Sequence, residues 1–110
     1  MDAEECRRRF TQAGGALGVV GEMAEVWFKH SGQITFHDPL AAAVLFRPDL
    51  CAYEEGEVTV DVRGPQPGMT LWDGKAASRP HRIAVEVDAG RFFEEYFSVA
   101  GGSAEYPASR

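Results

Sequence analysis

The sequence predicts an α+β fold: helices first, then a small group of strands, then one closing helix. Three observations predict it. Apolar residues recur at helical spacing through the first half of the chain. Period-two alternation takes over at Val58-Thr59-Val60-Asp61-Val62 and returns at Ile83-Ala84-Val85-Glu86-Val87. After Asp88, an aromatic-rich segment goes back to helical spacing. A run of helices followed by a run of strands is the pattern of α+β domains, or of one end of a larger α/β sheet. The 110 residues are 45% apolar and 25% charged, which suits a globular domain with a core and not a disordered chain.

In chain order, Asp2 to Ala13 reads as a short helix. Asp2 is placed to cap it, and Glu5 follows at capping-box spacing. Gly14-Gly15 ends that helix, and a second is expected from Ala16 to His30 with Leu17, Val20, Ala24 and Trp27 on its apolar face. Gly18 and Gly21 weaken it by about 1 kcal/mol each relative to alanine. Asp38 is an expected N-cap, with Pro39 at the first helical position and Leu40 to Phe46 as a buried helix stopped by Arg47-Pro48. Val58, Val60 and Val62 then form the apolar side of a half-buried strand. Gly64 to Gly68 is a turn, Met69 to Trp72 a short strand, and Lys75 to His81 a loop. Ile83, Val85 and Val87 mark the last strand. Asp88 caps a helix from about Ala89 to Val99 with Phe92, Phe93, Tyr96 and Phe97 on its apolar face. These elements read as one domain over residues 1–100. The small-residue tail, 101–110, is expected to be disordered.

Charge excludes one class of function. Eleven basic against 17 acidic residues give a net charge of −6, a balance that argues against a binder of nucleic-acid backbone, which needs a basic stripe. No apolar run approaches the roughly 20 residues of a membrane-spanning helix. The first ten residues lack the apolar stretch of a signal peptide. Cys6 and Cys51 match no metal or redox spacing and read as two free thiols. The expectation is a cytoplasmic protein without a membrane or nucleic-acid partner.

Few residues could carry chemistry. His37 beside Asp38, at a loop-to-helix boundary, is the sharpest pair, since an imidazole can donate a proton and a carboxylate can hold a cation. On spacing alone, the same two residues read more readily as a capping Asp and a loop His. His30 and His81 are isolated and read as surface residues, and Cys51 as a small buried hydrophobe. Trp27-Phe28 reads as core packing or as the wall of an aromatic pocket. Glu54-Glu55 and Glu94-Glu95 read as solvated surface. No phosphate-binding glycine loop and no nucleophile elbow occurs.

One set of blocks narrows this. Phe36-His37-Asp38-Pro39-Leu40-Ala41-Ala42-Ala43, followed by Arg47-Pro48-Asp49-Leu50, resembles the HDPLA segment of the inosine-uridine-preferring nucleoside hydrolases. Val58-Thr59-Val60-Asp61-Val62, Gly68-Met69-Thr70-Leu71-Trp72-Asp73 and Arg82 to Asp88 running into Arg91-Phe92-Phe93 are similar to three later blocks of that family, in the same order. The resemblance covers about residues 2–99. It implies the C-terminal portion of the α/β nucleoside hydrolase fold, and a family that hydrolyses the N-glycosidic bond of nucleosides with a bound calcium ion. It also implies Asp38 as a calcium ligand and His37 as the acid that protonates the leaving base. Trp27 and Phe28 lie in the region where the family places substrate-facing side chains.

The family's aspartate-rich D-x-D-x-G-x-D-D motif does not occur in these 110 residues. Asp38 alone offers one carboxylate to an ion that takes roughly 6–8 oxygens. The chain is therefore expected to bind no calcium and to be inactive by itself, with a nucleoside substrate only once an N-terminal part completes the site. The alternative is a non-catalytic module derived from that fold, self-associating or bound to a partner. Assembly is expected in either case, as a homo-oligomer or with a partner chain, because the faces of Val58, Val60, Val62, Ile83, Val85 and Phe92 need cover.

Overall fold

The computed structural model describes residues 1–101; the expected tail from 102 onward lies outside the described residues. The fold is α+β, with four α-helices and a three-stranded antiparallel sheet. Two compact units share it. One is Met1–Arg47 together with the chain from Ala89 on, and the other is the intervening Pro48–Asp88.

The helical unit starts with α1, Ala3–Ala13. The Asp2 carboxylate caps it, accepting from the Glu5 N–H at 2.8 Å, which satisfies one of the first-turn donors that no helix can pair internally. The Glu5 side chain turns instead to Arg8 and Arg9, at 2.7 and 2.5 Å. The preceding residues are clipped to the segment before α3: Ile34 N–H donates to Met1 C=O, and Ala3 N–H to Gly32 C=O. At Gly14 and Gly15, φ is +63° and +52°, a region that costs glycine little and other residues more. That turn sends α2, Gly15–Phe28, back along α1.

The face of α2 that meets α1 differs from the expected one. Leu17 and Ala24 are buried as foreseen, but Val20 and Trp27 are 41% and 56% exposed. Gly21 explains this. A Cβ there would lie 2.9 Å from Phe10 Cβ, so the helices approach most closely along the small-residue track through Gly21, between Leu17 and Ala24. Phe10 is buried against this track.

Helix α3, His37–Ala43, departs from expectation in two ways. Phe36 is its N-cap, so Asp38 is the second helical residue and not the cap. Pro39 still costs no hydrogen bond, because the third helical residue has no intrahelical acceptor for its N–H. The helix also stops at Ala43, has no buried residue, and leaves Leu45 and Phe46 largely exposed. The anchor is Phe36, whose ring meets Phe10, Phe92, Phe93 and Tyr96 at 5.1–6.3 Å. Helix α4, Ala89–Ala100, supplies most of that cluster from its expected apolar face. Phe92 is 3% exposed, so it needs no cover from another chain, contrary to expectation. Gly101 N–H closes the helix onto Phe97 C=O.

In the second unit, a short 3-10 turn, Pro48–Leu50, leads into β1, Cys51–Val60. This strand begins seven residues ahead of Val58, where the alternation first shows. A register shift between Ala52 and Tyr53 interrupts it, which removes period-two patterning as a guide to its first half. Cys51 is half-buried and not fully so, and both thiols are free. Strands β2, Thr70–Asp73, and β3, His81–Val87, flank β1 in the order β2-β1-β3.

His81 opens β3 where a loop was expected, and its Nδ1 accepts from the Val58 N–H at 3.0 Å. Val62 lies past the end of β1 and is 72% exposed. The chain turns there because the Asp61 carboxylate accepts from the N–H groups of Arg63 and Gly64. Pairing of Val58 with Trp72 and of Glu54 with Ile83 puts Val58, Val60, Trp72, Ile83, Val85 and Val87 on one face of the sheet. Glu55, Glu57, Asp73, Arg82 and Glu86 share the other.

Candidate active site

Phe36 positions the candidate pair. Its buried ring ties the start of α3 to the aromatic cluster, and its C=O accepts the Leu40 N–H at 3.0 Å. His37 and Asp38 follow as the first two helical residues, and both are exposed. Among the described residues, no hydrogen bond or ion pair engages either side chain. A carboxylate in the first turn of a helix is favoured by the unpaired N–H groups there. The two side chains are thus held by a fixed backbone and left open to an external group.

Beside them, an open apolar groove of about 310 Å³ runs between α3 and α4. Pro39, Ala42, Phe46, Tyr96 and Val99 line it, and the Arg47–Glu95 ion pair, 2.5 Å long, sits on its wall. The groove meets the HDPL segment at Pro39. Sequence reading missed this ion pair, whose partners are 48 residues apart, a separation at which no local pattern gives a signal. Phe36 was foreseen as part of a motif but not as its anchor; a large aromatic directly before a helix start was the available signal.

Trp27 and Phe28 end α2. The Trp27 indole N–H donates to Gln33 C=O at 2.9 Å, and the residue is 56% exposed. Phe28 is half-buried, and the Arg7 guanidinium lies 5.3 Å from its ring centre. Arg7 is itself held by Glu25 at 2.6 Å. Neither aromatic makes a hydrogen bond or ring contact with His37 or Asp38 among the described residues, and His37 and Asp38 are neighbours only as consecutive residues of the first turn of α3.

The described residues do not fit a complete metal site. No group of three or more His, Cys, Asp or Glu side chains converges among them, and Asp38 stands alone at the HDPL segment. One exposed carboxylate falls well short of the roughly 6–8 oxygens that calcium takes. Nor is any helix of the described residues long and apolar enough to cross a membrane.

Comparison with solved structures decides the likeness. The chain matches the purine-preferring ribonucleoside hydrolase from Gardnerella vaginalis over 93% of its length, with 28% sequence identity and a TM-score of 0.71. Its fold is nucleoside hydrolase-like. The chain spans 35% of the length of that enzyme, about one third. No protein-family model and no curated protein matches the sequence.

Proposed function

We propose that this chain is a nucleoside hydrolase-like segment that supplies His37 and Asp38 to a ribonucleoside-cleaving site, and that other polypeptide must complete that site. Carrying the reading is the match to a ribonucleoside hydrolase over nearly the whole chain, at 28% identity, with the HDPL pair held on a defined helix start. Hydrolysis breaks the C1′–N bond and forms a C1′–O bond to water, with positive charge developing on the ribose and negative charge on the departing base. The base then needs a proton, and an imidazole is the side chain best able to give one near neutrality. His37 has that role. Asp38 would supply one oxygen to a cation site whose remaining ligands the completing polypeptide would bring. The resemblance of the HDPL block points to inosine or uridine and the name of the structural neighbour to purines; inosine satisfies both.

A chimera tests this. The matching third of the Gardnerella vaginalis enzyme is replaced by this chain, and ribose release from inosine is measured. The chimera is expected to hydrolyse inosine. His37→Ala should lower the rate by about 10²–10⁴, as loss of a general acid does. Asp38→Ala should raise the calcium concentration needed. A chimera that folds cooperatively and releases no ribose would overturn the reading. The 110-residue chain alone should release no ribose above background, with or without calcium. Turnover by that chain, abolished by His37→Ala, would refute the dependence on other polypeptide.

A further inference from the structure

The segment that leads into the HDPL pair is held from two sides. On one side are residues 1–3: Ile34 N–H donates to Met1 C=O at 2.9 Å, and Ala3 N–H to Gly32 C=O at 3.0 Å. On the other side is the end of α2. There the Gln33 carbonyl accepts twice, from the Trp27 indole N–H at 2.9 Å and from the Ser31 hydroxyl at 2.8 Å. A carbonyl oxygen has two lone pairs, so both acceptor positions are filled. Trp27 C=O in turn accepts the Ser31 N–H at 3.1 Å, which fixes the two donors to each other.

Three residues after Gln33, Phe36 is pinned by its buried ring. At most about 11 Å of chain separates the two pins, and Ile34 between them is itself bonded to Met1. The direction in which His37 leaves is therefore set at Gln33 as well as at Phe36. Trp27 is suited to this task by its donor more than by its packing. It is 56% exposed, and among the described residues no aromatic ring or guanidinium meets its ring. Any large apolar residue could end α2 here, but the indole adds a directed N–H.

We propose that Trp27 and Ser31 are positioning residues for His37 and Asp38, acting through the Gln33 carbonyl. The catalytic side of this rests on the hydrolase reading above. The clamp keeps His37 where it can protonate the departing base, and Trp27 itself does not touch the nucleoside.

Amide hydrogen exchange of the full chain, followed by NMR, tests the clamp independently of activity. Trp27→Phe keeps a ring and removes the donor. It should speed exchange of the Ile34 and Leu40 N–H groups about 10-fold, the size expected for one lost hydrogen bond. Gly14 N–H, bonded to Phe10 C=O in the same unit, should be unchanged. Ser31→Ala should act as Trp27→Phe does, and Ser31→Thr, which keeps the hydroxyl, should not. Unchanged exchange at Ile34 and Leu40 overturns the proposal, and so does an equal rise at Gly14.

The hydrolase chimera tests the catalytic side at saturating calcium. Trp27→Phe should lower kcat for inosine about 10-fold at unchanged KM, as misplacement of a reacting group does. 4-Nitrophenyl riboside, whose leaving group departs without a proton, should be cleaved at an unaltered rate by both the Trp27→Phe and His37→Ala chimeras. A raised KM for inosine at unchanged kcat makes Trp27 a wall of the nucleoside pocket and overturns the proposal. A chimera inactive with Trp27 in place defeats the hydrolase reading, and the exchange result still decides the clamp.

Discussion

At the scale of single residues, the molecule depends on small side chains that allow close approach and large ones that fill the space left. Gly21 lets α2 lie against Phe10, and Phe10 in turn meets Phe36 and Phe97 at 6.3 and 5.4 Å. Phe36 touches four aromatic rings and is the residue from which the HDPL pair hangs. Phe36→Ala is expected to cost about 3–5 kcal/mol, as truncation of a buried aromatic does, a large share of the roughly 5–15 kcal/mol that holds a small domain together. Urea denaturation should show the loss as a lower midpoint with an unchanged slope. A cost below about 1 kcal/mol would mean that α3 is anchored elsewhere.

At the scale of elements, local chemistry sets the ends and tertiary contact sets the faces. The Asp2 cap, the Gly14-Gly15 turn and the Asp61 turn each follow from a side chain or a backbone freedom acting over a few residues. The first two were legible for that reason; Asp61 was expected inside the strand, because the alternation runs on to Val62. The Asp2 cap is testable: Asp2→Ala removes the acceptor for the Glu5 N–H and should cost about 1 kcal/mol, and Asp2→Ser should recover most of it. Thermal melts of the two variants check this. Equal loss in both would place the effect in the contacts of residues 1–3 with 32–34 instead of the cap.

Strand β1 was half legible. Its second half alternates Val58-Thr59-Val60, whereas Tyr53-Glu54-Glu55-Gly56 carries polar or absent side chains on both faces. The register shift at Ala52/Tyr53 further scrambles the period. Helix α3 was foreseen but starts two residues earlier and stops three residues sooner than expected; its start follows from burial of Phe36 and not from the capping preference of Asp38.

At the scale of the whole molecule, ion pairs and burial set the pH range of stability. Arg8 and then Arg9 hold the Glu5 carboxyl below its ordinary 4.5, and Arg7 does the same to Glu25. The N–H groups of Gly64 and Arg63 hold Asp61 below 3.8. A depressed carboxylate pKa contributes stability above the unfolded value and loses it as pH falls through the folded value. Burial raises the Cys6 thiol above its ordinary 9.0 and the Tyr96 phenol above 10.0. For these groups the contribution is present below the unfolded value and lost as pH rises toward the folded one.

Stability should therefore be flat between about pH 5 and 8 and fall on both sides. The acid loss should be modest, because the carboxylates are solvent-accessible and their pairs weak. In guanidine-free thermal melts across pH, Glu25→Gln should flatten part of the acid limb, and Cys6→Ala should remove part of the alkaline one. A melting temperature still rising at pH 3 would contradict this assignment.

By itself the sequence determined the element order, the capped start of α1, the aromatic face of α4, the alternating strands and the HDPL segment that led to the hydrolase likeness. Each of these depends on interactions among residues near in the chain or on a period that the chain repeats. Only the tertiary structure decided which side of α2 is buried. That helix is apolar around most of its circumference, and the approach of Phe10 to Gly21 selects one face and leaves Val20, Met23 and Trp27 outside. The tertiary structure likewise exposed Leu45 and Phe46, enclosed Phe92, and joined Arg47 to Glu95 across 48 residues. These outcomes depend on which surfaces meet in space, and a one-dimensional pattern does not contain that.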